Sequence, residues 1–184
     1  MQALKEWAVV CRALEEGRQV VLLRKGGILE YRQGFEVKHN KFFLFPTFEH
    51  QSKDHLQADY AGKLDQILED QPANGTNMIT SYAQAIEVKE ISDRAAIKLL
   101  AKYHVWNESY VNARIDYNPK KPMSVILLRV FKLAPPIIVE SKPEWVGCKS
   151  WVPIEIEARG RPVLDDLQFN KLASEIKGVL LVAA

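Results

Sequence analysis

MSVILLRVFKL, from Met123 to Leu133, decides the fold class. It is a continuous apolar run between Lys121-Pro122 and Pro135-Pro136, and it reads as a long buried strand. Arg129 sits inside it, between Leu128 and Val130. A buried Arg needs a counter-charge or an anion. Arg129 is therefore expected to pair with a carboxylate such as Glu49, to reach an edge, or to hold a ligand.

Upstream, Asn118 to Pro122 is a turn. His104 to Arg114 reads as a short helix capped by Asn107, and Ser92 as the N-cap of a helix to about Lys102. Ile79 to Val88 reads as a strand, preceded by a loop from Gln71 to Asn77. Residues 50–70 carry Leu56, Tyr60, Leu64, Ile67 and Leu68 near helical spacing, which predicts one helix or two short ones. Phe42 to Phe45 reads as a buried strand stopped by Pro46. Ahead of it lie expected strands at Gln19 to Leu23, Ile28 to Tyr31 and Phe35 to Lys38. Leu4, Trp7, Ala8, Cys11 and Leu14 predict an amphipathic helix over residues 2–16, ended by Gly17.

Downstream, Pro135-Pro136 should end the long strand. Ile137 to Val139 and Lys149 to Ile156 read as short strands. Asp165 should cap a last helix that carries Leu167, Leu172, Ile176 and Leu180. Strands do not alternate with single crossover helices. The expected class is α+β: a mixed or antiparallel sheet curled into a partial barrel, with flanking helices. Residues 1–160 would form one domain, with 161–184 a C-terminal helix packed on it.

The chain has 184 residues, 47% of them hydrophobic, and 25 Lys plus Arg against 23 Asp plus Glu, for a net charge of +2. That excludes a disordered chain, a collagen-like fibre and a polybasic tail protein. The charge is uneven: residues 1–48 carry +3, 49–108 carry −4 and 109–184 carry +3. Cys11 and Cys148 lie far apart and outside any CxxC pair, which predicts reduced, buried thiols and a cytoplasmic protein. MQALKEW is not a secretory signal, and no run approaches the ~20 apolar residues of a membrane span. No membrane partner is expected.

Five stretches carry chemistry. Arg24-Lys25-Gly26-Gly27 puts two cations beside a diglycine, which suits an anion such as phosphate; a plain hairpin with solvated charges is the alternative. Glu49-His50 follows a buried strand, where acid–base or polar loop roles are both open. The spacing of His39, His50 and His55 fits no zinc signature, so no metal or cofactor is expected. His104 and Trp106 would form a pocket wall, a stacking face or a packed helix boundary. Ser150 and Trp151 follow Cys148, and read as ligand contacts or as core. Arg129 completes the set.

LKEWA (Leu4 to Ala8), LLRKGGI (Leu22 to Ile28), FFLFPTFEHQ (Phe42 to Gln51), HVW (His104 to Trp106), KP (Lys121-Pro122), LLRV (Leu127 to Val130) and GCKSWV (Gly147 to Val152) occur in that order. In these motifs the chain resembles an uncharacterised, mainly cyanobacterial family, the domain of unknown function number 1802. The resemblance implies no activity. A weaker likeness is to PUA-like barrels, ASCH-type domains among them, and it implies a small curled sheet that binds RNA or modified nucleotides.

The expected function is a soluble binding domain that holds a nucleotide or nucleic acid in a small basic pocket. Two alternatives stay open: a hydrolase or nuclease-like enzyme, for which Glu87-Val88-Lys89 is the nearest ExK string, and a non-catalytic interaction module.

Overall fold

The structure, a computed structural model, describes residues 1–25, 40–147, 149–157 and 159–182. Its strands are β1 (Gln2–Trp7), β2 (Val21–Arg24), β3 (Lys41–Thr47), β4 (Thr76–Ile91), β5 (Met123–Glu140), β6 (Trp151–Pro153) and β7 (Gly160–Pro162). Its helices are α1 (Ala8–Glu15), α2 (Ala58–Ala61), α3 (Leu64–Glu69), α4 (Arg94–Leu99), α5 (Glu108–Tyr117) and α6 (Asp166–Val182). No described helix is long and apolar enough to cross a membrane.

The strands form one mixed sheet in the order β2-β5-β4-β3-β1-β6, with β7 also on β5. β1 runs parallel to β3, and every other pair among the described residues is antiparallel. β4 and β5 make the long central ladder. β2 covers Ser124 to Leu127 on the free side of β5, and β7 covers Phe131 to Leu133 further along. The sheet is open, but it curls. Arg24 of β2, at one end of the strand order, reaches Glu6 of β1 and Ser150 just ahead of β6, at the other end. The α+β class and the curled mixed sheet follow the expectation.

Alternation with period two places residues on the two faces. Leu4, Leu22, Phe42 and Leu44 join the larger core with α1, α4, α5 and α6, whereas Ala3, Phe43, Phe45 and Val152 join the smaller one. In α6, Asp165 Oδ1 accepts from the Gln168 N–H at 2.7 Å, so the expected cap is present. Phe169, Ala173, Ile176 and Leu180 are its buried stripe.

Several expectations are corrected. Residues 2–16 are not one helix. Gln2 to Trp7 form an interior strand, because Ala3 and Leu4 pair with both Phe43-Leu44 of β3 and Trp151-Val152 of β6, a choice no local pattern reveals. Only Ala8 to Glu15 is helical. Pro46 does not stop β3. Its carbonyl accepts from Asn77 Nδ2, so its imide nitrogen lies on the β4 side, beyond the last paired residue Phe43, where no ladder bond is lost.

Pro135-Pro136 do not end β5 either. The register steps from Ile79↔Ile137 to Ser81↔Lys132, and the prolines fall in that irregularity, where no N–H is needed. Ile137 to Val139 is thus the far half of β5. The α4 cap is Asp93, which accepts from the Ala95 N–H at 2.9 Å, and not Ser92. Leu167 is 83% exposed and lies off the α6 stripe. The strands expected at Ile28 to Tyr31 and Phe35 to Lys38 lie outside the described residues.

These placements separate two leucines. Leu4→Ala should cost about 2–5 kcal/mol, as a buried position in a central strand does. Leu167→Ala should change stability by less than about 0.5 kcal/mol. Urea unfolding of both variants checks the pair.

Candidate functional site

Where the two ends of the sheet meet, a cleft of about 320 Å³ opens. Its floor follows from strand periodicity. Glu6 continues the inward face of Leu4, and Arg24 that of Leu22, so two opposite charges face each other at the mouth of the core. Arg24 Nη1 donates to Glu6 Oε2 at 2.9 Å, and Nη2 donates to Ser150 Oγ at 2.9 Å. Glu6 Oε1 accepts from the Trp7 N–H at 3.0 Å. The Glu6 side chain is 8% exposed and that of Arg24 18%, so this ion pair is largely withdrawn from water.

The aromatic wall comes from Trp7 at the end of β1, Trp106 just ahead of the α5 cap, and Tyr110 of α5. Trp7 meets Trp106 edge to face at 4.9 Å, and Trp106 stacks on Tyr110 at 4.5 Å. Asn107 holds this wall in place. Its Oδ1 accepts from the Tyr110 N–H at 2.9 Å to cap α5, and its Nδ2 donates to the Asp54 carbonyl at 2.7 Å. Gln57 Nε2 donates to the carbonyls of Ala101, His104 and Trp106. Burial raises the pKa of the Tyr110 hydroxyl, which stays protonated.

The rim is polar. Thr47, Glu49 and His50 arrive from the end of β3, and His50 turns the chain with φ of 61°. Next in sequence, Gln51 Oε1 accepts from the Val9 N–H at 3.1 Å and so satisfies a donor at the start of α1. Lys5 Nζ donates to the carbonyls of Trp145 and Gly147, both at 2.8 Å, and ties down the opposite rim. Lys149 Nζ donates to the Glu144 carbonyl at 2.7 Å. Arg114, two turns beyond Trp106, completes the lining. Four basic side chains (Lys5, Arg24, Arg114, Lys149) thus stand against two carboxylates, Glu6 and Glu49. Among the described residues, no group of three or more His, Cys, Asp or Glu is placed to hold a metal ion.

Arg24, Glu49, His50, Trp106 and Ser150 are therefore brought together. Others are not. Lys25 is buried and does not line the cleft, and burial, then the nearby Arg94 and Arg114 charges, lower its pKa. Arg129 pairs with Asp166 and lies over the Phe169 ring at 5.1 Å. Trp151 packs edge to face on Phe42 at 5.2 Å. His104 lines a different cavity. Gly26 and Gly27 lie outside the described residues, as does Cys148. Cys11 is buried, and its thiol is pushed up by burial first, then by Glu6 and Glu15.

Sequence reading missed Glu6, Trp7, Tyr110 and Arg114. A signal existed for the last two: Tyr110 and Arg114 stand four apart and share one side of α5, whose cap follows directly on Trp106. Glu6 and Trp7 were hidden by the helical reading of residues 2–16.

A family model described as "Domain of unknown function (DUF1802)" matches residues 3–175. No curated protein matches the chain. Two crystal structures are similar: an ASCH protein from Zymomonas mobilis, at 11% identity and a TM-score of 0.45, covering 94% of this chain and 93% of that one; and a mutant of it, at 12% identity and a TM-score of 0.44, covering 95% and 94%.

Two outcomes test this geometry. Arg24→Met leaves the Glu6 carboxylate buried without its guanidinium and should cost about 3–5 kcal/mol. Adding Glu6→Leu should recover most of that loss in urea unfolding, since no buried charge then remains. The second outcome concerns His104, whose pKa burial pushes down to about 4. Between that value and about 6.5 the unfolded chain binds more protons than the folded one, so stability should rise with pH across this window and level off above it. Unfolding free energies from pH 4 to 7 should show that slope, and His104→Phe should remove this part of it.

Proposed function

The chain belongs to this DUF1802 family, whose description names no activity, and from the cleft itself we propose that the protein binds a nucleotide or a short single-stranded nucleic acid. One observation carries the reading: a wall of Trp7, Trp106 and Tyr110 faces a rim with excess basic charge in a cleft of about 320 Å³. A flat aromatic base suits the wall, because every base offers a π-face for stacking. A phosphate suits the cations, with guanidinium groups giving directed hydrogen bonds.

Charge supports the same reading. Lys5 and Arg24 come from the basic first segment, and Arg114 and Lys149 from the basic last one. The fold thus gathers a local excess of cations in a chain of net charge +2. The family motifs point to the same place. LKEWA supplies Glu6 and Trp7, LLRKGGI supplies Arg24, and FFLFPTFEHQ supplies Thr47, Glu49 and His50. HVW supplies Trp106, and GCKSWV supplies Lys149 and Ser150. Segments this far apart in sequence meet in one cleft.

The test is tryptophan fluorescence during titration with adenosine monophosphate and with a short single-stranded oligonucleotide. Binding should quench Trp7 and Trp106 and weaken as salt rises. Arg114→Gln should weaken it about tenfold or more, as loss of a charge-assisted contact does. Absence of binding at low salt for both probes would contradict the proposal.

A further inference from the structure

The cleft does not end at its rim. A groove of about 350 Å³ opens beside it, and Lys5, Thr47, Glu49, His50 and Gly147 line both spaces. Three segments build the rest of the groove: the end of β3 with Phe48 beyond it, the loop ahead of β4, and the stretch that follows β5. These segments are tied to one another. Asn77 Nδ2 donates to the Pro46 carbonyl at 2.8 Å, and the Ser141 N–H donates to the Gly75 carbonyl at 2.8 Å. Lys5 holds the Trp145 and Gly147 carbonyls, and the buried Trp145 ring packs edge to face on Phe45 at 5.9 Å. The groove is thus formed in advance, so a ligand orders little chain when it enters.

The lining has two characters. Phe48, Pro72 and Val146 offer apolar surface, and Val146 is 76% exposed with nothing covering it among the described residues. Against this stand two cations and one carboxylate: Lys5, Lys142 and Glu49. Lys142 is exposed, with Nζ at 5.5 Å from the centre of the Trp145 ring. Apolar surface beside excess positive charge fits a base joined to a phosphate. A peptide that adds a strand finds no edge here. Pro46 has no N–H, and Asn77 already takes its carbonyl.

We propose that the groove is a second subsite, which takes the next nucleotide of a single strand whose first base lies in the cleft; the inference rests on the nucleotide reading of the cleft. Each space has the volume of a small ligand site, enough for one nucleotide apiece. A strand that fills both passes its linking phosphate over their common boundary, where Lys5 and His50 stand. The natural ligand is then a strand of at least two nucleotides, and a mononucleotide fills only the cleft half.

The test compares adenosine monophosphate with the 5′-phosphorylated adenylyl dinucleotide on the full-length chain, by tryptophan fluorescence and amide chemical shifts. The dinucleotide should bind about tenfold tighter or more, as one further base contact gives. Its log–log salt slope should be steeper by about 0.7 for the added phosphate. It should also shift the amides of Phe48 and Val146, which the mononucleotide leaves unmoved. Lys142→Gln with Val146→Ser changes two exposed positions outside the cleft. This double variant should remove most of the dinucleotide's advantage and leave mononucleotide affinity within about twofold. A dinucleotide that binds within about twofold of the mononucleotide, or an advantage that survives the double variant, would overturn the second subsite and leave the cleft reading intact. Failure of both probes to bind at low salt would overturn the cleft reading, and this inference with it.

Discussion

The side-chain bridge from Arg24 to Glu6 and Ser150 is the constraint on which the rest of the structure turns. Strand order puts β2 and β6 at opposite ends of the sheet, and among the described residues no backbone ladder joins them. The curl brings the ends close enough for side chains to span the gap. An apolar seam would have packed shut. A buried ion pair instead needs hydrogen bonds, and it has them: the carboxylate accepts from the Trp7 N–H and the guanidinium, and the guanidinium also donates to the Ser150 hydroxyl. Such a pair adds little net stability, because desolvation offsets the attraction. What it adds is position. It fixes β1, β2 and the segment before β6 relative to one another and leaves a polar-floored cleft between them.

Much of this was legible along the chain where local chemistry decides the outcome. The run of β5, the Asn107 cap of α5 and the Asp165 cap of α6 all follow from neighbours in sequence. Failures came where partners are distant. Gln2 to Trp7 satisfy a helical pattern as well as a strand pattern, and only the flanking β3 and β6 choose between them. The prolines at 46, 135 and 136 mislead for a related reason. Whether a missing N–H matters depends on which side of the strand is paired, and pairing is not local.

The candidate site divides in the same way. Arg24, Glu49, His50, Trp106 and Ser150 stood out by type and setting, and they converge. Arg129 stood out equally, but a helix that returns from the end of the chain supplies its counter-charge. Trp151 is consumed by the core, where it meets Phe42. Tyr110 and Arg114 were not singled out, because only the position of β1 gives their side of α5 something to enclose.

Amide chemical-shift mapping of the full-length chain with a short single-stranded oligonucleotide at low salt tests the central claim most directly. The account predicts saturable shifts at Trp7, Arg24, Trp106, Tyr110, Arg114 and Lys149, with the outer face of α6 unchanged. Shifts spread over the surface, or centred on α6 with the cleft silent, would contradict it.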